Sequence, residues 1–246
     1  MTQITFHPEY VMRIGSFLIS NTLITSWIAM VILIILSLIL KKRLKKIPKP
    51  KSLQNIFETL TELLLKFINS ITGSRELTKQ VFPLIATFFL FILTANFLGL
   101  IPGFLGAFVV ESNGKNIALF RSTNSDLNST LALAIISVIA IQYFGIKRLG
   151  VKKYLKRFFN FTNPLKLVVG VFELLSDFTK ILSLSLRLFG NILAGEILLL
   201  VMAFLAPYFI PLPFMILELL IGFIQAFIFS ALSLIFIKSA ETRYEL

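Results

Sequence analysis

With 246 residues, 57% of them hydrophobic, 15% charged and a mean hydropathy of +0.88, the chain falls outside the range of soluble domains and within that of polytopic membrane proteins. Its net charge of +12 comes largely from two short basic blocks that flank apolar runs. That is the positive-inside pattern, not the basic, aromatic-lined groove of a nucleic-acid binder, and no nucleic-acid partner is expected. The chain has no cysteine, which excludes disulfides, thiolate metal sites and thiol nucleophiles. The sole histidine, His7, precedes the first span and cannot build a histidine metal site.

Residues 1 to 15 are short, mixed and expected outside. The run from Ser16 to Leu40 is longer than the apolar region of a signal peptide and lacks a small-residue cleavage site, so it reads as a retained transmembrane helix. Seven positive charges between Lys41 and Lys51 place its end in the cytoplasm. From Ser52 to Thr72 the apolar residues (Leu53, Ile56, Phe57, Leu60, Leu63, Leu64, Phe67, Ile68 and Ile71) follow a helical period, with Gln54, Glu58, Thr61, Glu62 and Lys66 mainly on the other side. This predicts an amphipathic helix on the cytoplasmic surface or against the bundle, ended by Gly73.

Val81 to Ile101 predicts a second span, which carries Asn96. The loop from Gly103 to Ser125, with Glu111, Lys115 and Arg121, is polar and charge-balanced, as expected outside. Asp126 to Ile146 returns inward to the second block, Lys147 to Arg157, which holds six positive charges. Asn163-Pro164 marks a turn into the next helix. Val168 to Ala206 is apolar enough to continue as one helix of about 58 Å, against a hydrocarbon thickness of about 30 Å. No proline or charged turn interrupts it, so steep inclination is favoured over a reversal. Pro207, Pro211 and Pro213 are expected to form a non-helical link, and Phe214 to Ile237 to return as the last helix. The predicted fold is therefore an all-α membrane protein, a single domain over residues 1 to 246. It has five transmembrane helices plus an amphipathic helix, with a long, steeply inclined C-terminal hairpin at about residues 163–240. The amino end lies outside and the carboxyl end in the cytoplasm.

Arg187 stands in the middle of the long apolar run. An arginine at the bilayer centre costs about 2.5 to 3.5 kcal/mol on insertion scales, so it should face protein or a wet cavity. At about 100° per residue, Glu173, Lys180, Ser183, Asn191 and Ala194 fall within roughly 40° of it, and Glu196 lies about 180° away. The small residues of this stripe would let a partner helix approach closely. On the last helix, Glu218, Gly222 and Gln225 share a face. Polar groups thus collect above and below Arg187, a layout suited to two aqueous half-channels separated by a fixed positive charge. Blander roles stay open at this point. Arg187 would then be a tether paired with a carboxylate inside the bundle, Asn191 and Gln225 would be interhelical hydrogen-bond partners, and Glu173 and Lys180 would snorkel to the interface. No phosphate-cradling glycine loop, zinc-ligand spacing or serine nucleophile elbow occurs, so neither soluble catalysis nor a cofactor is expected.

The segments Ser185–Glu196 (SLRLFGNILAGE) and Glu218–Phe236 (ELLIGFIQAFIFSALSLIF), with Asn163–Leu165 (NPL) and Asp126–Ala134 (DLNSTLALA) ahead of them, resemble subunit a of the F-type ATP synthase. The resemblance covers nearly the whole chain. It implies a non-catalytic stator subunit beside a rotating ring of c subunits, with peripheral-stalk b subunits, the remaining ATP synthase subunits and membrane lipid as partners. By it, Arg187 matches the essential arginine, Asn191 and Gln225 match polar positions beside it, Glu196 and Glu218 match the outward half-channel pair, and Glu173 matches an acidic position toward the cytoplasm. Many members carry histidine at one of the Glu196 and Glu218 positions; two carboxylates here would share protons as a coupled unit. The translocated ion is a proton, or sodium if the ring's own site selects it. No transit-type segment precedes the first span, which favours a bacterial inner membrane. From the residues alone, a stand-alone secondary transporter or ion channel, in which Arg187 binds an anionic substrate, and a structural scaffold remain alternatives.

Overall fold

The structure, a computed structural model, describes residues 10–14, 17–44, 53–101, 109–112, 115–118, 121–152, 154, 164–205, 209 and 211–242. His7, Asn163, Pro207, most of the first basic block and the end of the second lie outside these. Six long helices carry the fold: α1 (Asn21–Arg43), α2 (Leu53–Thr72), α3 (Arg75–Leu100), α4 (Leu127–Leu149), α5 (Pro164–Leu205) and α6 (Pro211–Thr242). All but α2 are long and apolar enough to cross a membrane, giving the all-α membrane fold that the hydropathy predicts.

Helices α3, α4 and α5 each pack on α6, α4 also on α5, while α1 rests against α3 and α2 against α3 and α6. Isoleucine and leucine fill the centre: Ile85, Ile92, Ile141, Leu188, Leu234 and Ile237 are all within 1% of full burial. Edge-to-face rings, Phe88 on Phe229 at 5.5 Å and Phe89 on Phe223 at 5.8 Å, join α3 to α6. Because lipid is as apolar as leucine, small and polar side chains supply the rest of the adhesion. Ser137 on α4 donates to Ser233 on α6 at 2.7 Å, and the Thr130 and Ser185 hydroxyls pair α4 with α5 at 3.0 Å. Outward-facing Ile34, Phe172, Phe178 and Ile216 present the apolar surface that hydrocarbon solvates.

The amphipathic segment settles against the bundle. Leu64 and Ile68 of α2 are buried in the core, and Phe67 stacks on Phe227 at 4.9 Å. Glu62 and Lys66 pair at 2.7 Å on its exposed side. Gly73, at φ +65°, ends the helix in the left-handed conformation that glycine adopts without penalty.

Three expectations need correction. Two short antiparallel hairpins, β1 (Tyr10–Ile14) with β2 (Phe17–Ser20) and β3 (Val109–Ser112) with β4 (Lys115–Ala118), lie at one end of the bundle, so α1 begins at Asn21 rather than at Ser16. The segment after Arg121 is not a loop in solvent. Thr123–Ser125 form a 3-10 turn, and residues from Ser122 to Asp126 are at most 5% exposed. Finally, Pro211 and Pro213 stand in the first turn of α6, not in a non-helical link. A proline there gives up an N–H that has no intrahelical partner, and its fixed φ suits the helix.

Hydrogen bonds hold the buried turn. The Thr22 hydroxyl donates to Asp126 at 2.8 Å, and the other carboxylate oxygen of Asp126 accepts from Asn128 N at 2.9 Å, capping α4. Arg121 N donates to Thr25 Oγ1 at 3.3 Å, and Asn124 donates to Asn96, which in turn donates to the Gly222 carbonyl. Asp126→Ala removes a cap and the buried bond from Thr22 to this turn, so it is expected to cost about 1 to 3 kcal/mol, measured as a lower thermal midpoint of the detergent-solubilised chain.

Candidate functional site

The long helix α5 is continuous over 42 residues and presents two chemically different faces. Leu184, Ser185, Leu188 and Ile192 turn inward, at 0 to 3% exposure. Ser183, Arg187, Gly190, Asn191 and Ala194 lie on the exposed side. The stripe read from the sequence is therefore an outer surface of the bundle. Arg187 Nη2 donates to Ser183 Oγ one turn earlier at 3.3 Å, and among the described residues no carboxylate comes within ion-pair distance of it. Among the described residues the guanidinium is therefore not tethered to a carboxylate. At Gly190 an added Cβ would meet nothing within 4 Å, so the surface beside Arg187 is open to a neighbour.

Nine residues further on, about 13 Å along the axis and half a turn round, Glu196 points the other way. Its carboxylate lies 3.7 Å from Arg121 Nε, and both side chains are mostly buried, at 11% and 15% exposure. Glu218 of α6 approaches the same place and is 6% exposed. A Cβ on Gly195 would stand 2.7 Å from Glu218 Oε1, so the missing side chain is what lets this carboxyl lie against α5. The two glutamates, with Asn96, Gly99, Ser122 and Ile192, line a cavity of about 10 Å³, about the smallest space that holds a water molecule. Glu196 Oε1, Glu218 Oε2 and Ser122 Oγ are buried there without a hydrogen-bond partner among the described residues. Buried polar atoms are rarely left so, and their convergence marks a polar space fit for water or a transferring proton.

Toward the other end of α5 a second polar group forms. Asp177 accepts from Gln142 of α4 at 2.7 Å and from Lys180 at 2.6 Å, and Lys180 lies over the Phe236 ring at 5.4 Å from its centroid. Lys180 therefore turns inward from the stripe, while Glu173 is half-buried and Asn191 exposed. Gln225 is buried two turns below Glu218 on the same face of α6, with Gly222 between them. Polar groups thus gather on both sides of the level of Arg187, as the sequence suggests.

The structure adds residues that sequence reasoning passed over: Arg121, Ser122 and Asn124 above, Gln142 and Asp177 below. A signal for the first three was present in the run Ser-Thr-Asn-Ser-Asp, which has no charge before Asp126 and is rich in residues whose side chains satisfy local backbone. Asp177 lay one turn before Lys180, at the spacing of an intrahelical pair.

Comparisons with known proteins bear on this geometry. The family model described as ATP synthase A chain matches residues 23–238. ATP synthase subunit a of Syntrophobacter fumaroxidans is 38% identical over 95% of this chain and 89% of its own length. The subunit a of Gloeobacter violaceus is 38% identical, over 89% and 83%, and the chloroplastic subunit a of Bigelowiella natans 37%, over 95% and 91%. A match of this extent, over helices that carry an outward arginine and a buried glutamate pair, shows that the chain belongs to the ATP synthase A chain family and is a multi-pass membrane protein.

Proposed function

We propose that this chain is the non-catalytic, ion-translocating stator subunit of an F-type ATP synthase, and that it forms two half-channels beside a ring of c subunits. The observation that carries the reading is the division of α5. Among the described residues Arg187 has no carboxylate partner and stands on an exposed, small-residue face, whereas Glu196 is turned half a revolution away into a polar cavity with Glu218. A lone guanidinium in hydrocarbon is costly, so its natural complement is an acid carried by a neighbour. Gly190 and Ala194 give such a neighbour room for close approach.

An ion enters from outside past Glu196 and Glu218, moves to the carboxyl of a ring subunit, travels with it through lipid, and leaves through the second polar group toward the cytoplasm. Asn191 and Gln225 flank the transfer region; Glu173, Asp177 and Lys180 belong to the inner path. Arg187 keeps the two paths apart. A carboxylate at 4 Å from it in an effective dielectric of 20 gains about 4 kcal/mol, roughly a thousandfold in favour of the ionised acid. The returning acid therefore releases its proton as it reaches Arg187, and no free ion crosses the barrier. Each charge moved through 100 mV supplies about 2.3 kcal/mol, which rotation accumulates for nucleotide chemistry on other subunits. The b subunits of the peripheral stalk hold the chain against the ring's torque. The setting is a bacterial inner membrane, with the hairpins outside and the basic blocks in the cytoplasm. Proton flux with sodium varied at fixed pH, in vesicles holding the whole complex, identifies the ion.

Arg187→Ala is expected to abolish ATP-driven pumping in those vesicles, and Arg187→Lys to fail or nearly so, because a buried ammonium deprotonates more readily; unimpaired coupled pumping in the alanine variant refutes the reading. Glu196→Gln and Glu218→Gln are each expected to slow flux without preventing assembly, and normal flux in both removes the pair from the path. Gly195→Ala is expected to leave helix α5 intact, since alanine favours helix over glycine by about 1 kcal/mol. It should displace the Glu218 carboxyl and lower flux, as read by initial pumping rates at equal subunit content.

A further inference from the structure

The outer cavity holds two carboxyls, and burying carboxylates together without a counter-charge is unfavourable. Arg187 cannot serve them, being on the opposite face of α5. The cation seated against them is Arg121, whose Nε lies 3.7 Å from Glu196 Oε2 and donates to Ser125 Oγ at 3.2 Å. Its position is built by the fold. The backbone N–H of Arg121 is held by Thr25 of α1. Ser122 sits so close to α3 that a Cβ on Gly99 would be 2.9 Å from its own Cβ. Asp126 is fastened to Thr22, and Asn124 to Asn96. Four contacts, two to α1 and two to α3, thus fix the turn that carries this guanidinium at the edge of the cavity. At 3.7 Å the contact is an ion pair longer than a hydrogen bond. Glu196 Oε1, like Ser122 Oγ and Glu218 Oε2 at the same cavity, is buried without a hydrogen-bond partner among the described residues.

We propose that Arg121 is the positioning counter-charge of the outer carboxylate pair: it holds one oxygen of Glu196 so that the other faces Glu218 across a shared cavity, and so governs how fast a proton passes between them. The inference rests on the half-channel reading above. Under it, the proton arriving from outer water is taken by a carboxylate oxygen and passed on, with no bond formed or broken other than O–H.

The test is proton flux through the whole complex in vesicles, with content of this chain measured in each preparation. R121Q is expected to lower flux at least about fivefold in the parent background and less than about twofold when Glu196→Gln is already present, since Arg121 then has no carboxylate to hold. A loss below fivefold in the parent, or the same loss in both backgrounds, overturns the proposal, because a residue that merely braces the turn would act equally in both. Where R121Q fails to assemble, R121K, which keeps the charge, decides: at least half the parent flux supports the proposal and less overturns it. Failure of the half-channel reading shows separately, as normal flux in Glu196→Gln alone or coupled pumping in Arg187→Ala.

Discussion

Charge inside hydrocarbon must be matched by protein, by water or by a partner, and this constraint orders the whole molecule. Helix α5 carries ionisable groups along a length that would span the bilayer about twice. Three of its groups form ion pairs within the chain, Glu196 with Arg121 of the buried turn and Lys180 with Asp177 on the same helix. Among the described residues, Arg187 finds only a serine hydroxyl. The helix thus separates what the chain satisfies for itself from what it leaves for another molecule. The packing of α3, α4 and α6 behind it serves to keep those two kinds of group on opposite sides.

Much of this was legible beforehand. Apolar run length located the five crossings, helical arithmetic put Arg187 and Glu196 on opposed faces, and the uninterrupted run predicted a single long α5 where a reversal was the alternative. The amphipathic period of α2 was also readable, though not which of two surfaces would receive it. Periodicity describes one helix at a time, and the contact with Phe227 depends on residues more than 150 positions away. The same limit hid Arg121. Its meeting with Glu196 spans 75 positions and is made by a short turn whose backbone is satisfied by α1 and α3, so its polarity reads as exposure. The prolines at 211 and 213 misled for another reason, since proline punctuates a sequence equally well at a break and at a helix start.

Membership of the ATP synthase A chain family rests on residues 23–238 and on relatives matched over most of their lengths. It narrows the readings that the residues alone leave open. A self-sufficient transporter would be expected to close its charged site within one chain. Here the arginine is presented outward, and the intrachain ion pairs lie elsewhere. A plain scaffold would give no reason for two carboxyls to converge on a cavity with one oxygen of each unpartnered among the described residues. The geometry and the family point the same way, and they do so through different observations.

The open space over Gly190 has a mechanical consequence. Around Arg187 the outer face of α5 is nearly free of bulk, with serine, glycine and alanine at neighbouring turns. Interlocked side chains would act like gear teeth, and each step of a passing surface would have to lift over them. Under the proposed function, a smooth track with one charged catch would let a passing surface glide with little friction and pause at a single electrostatic stop.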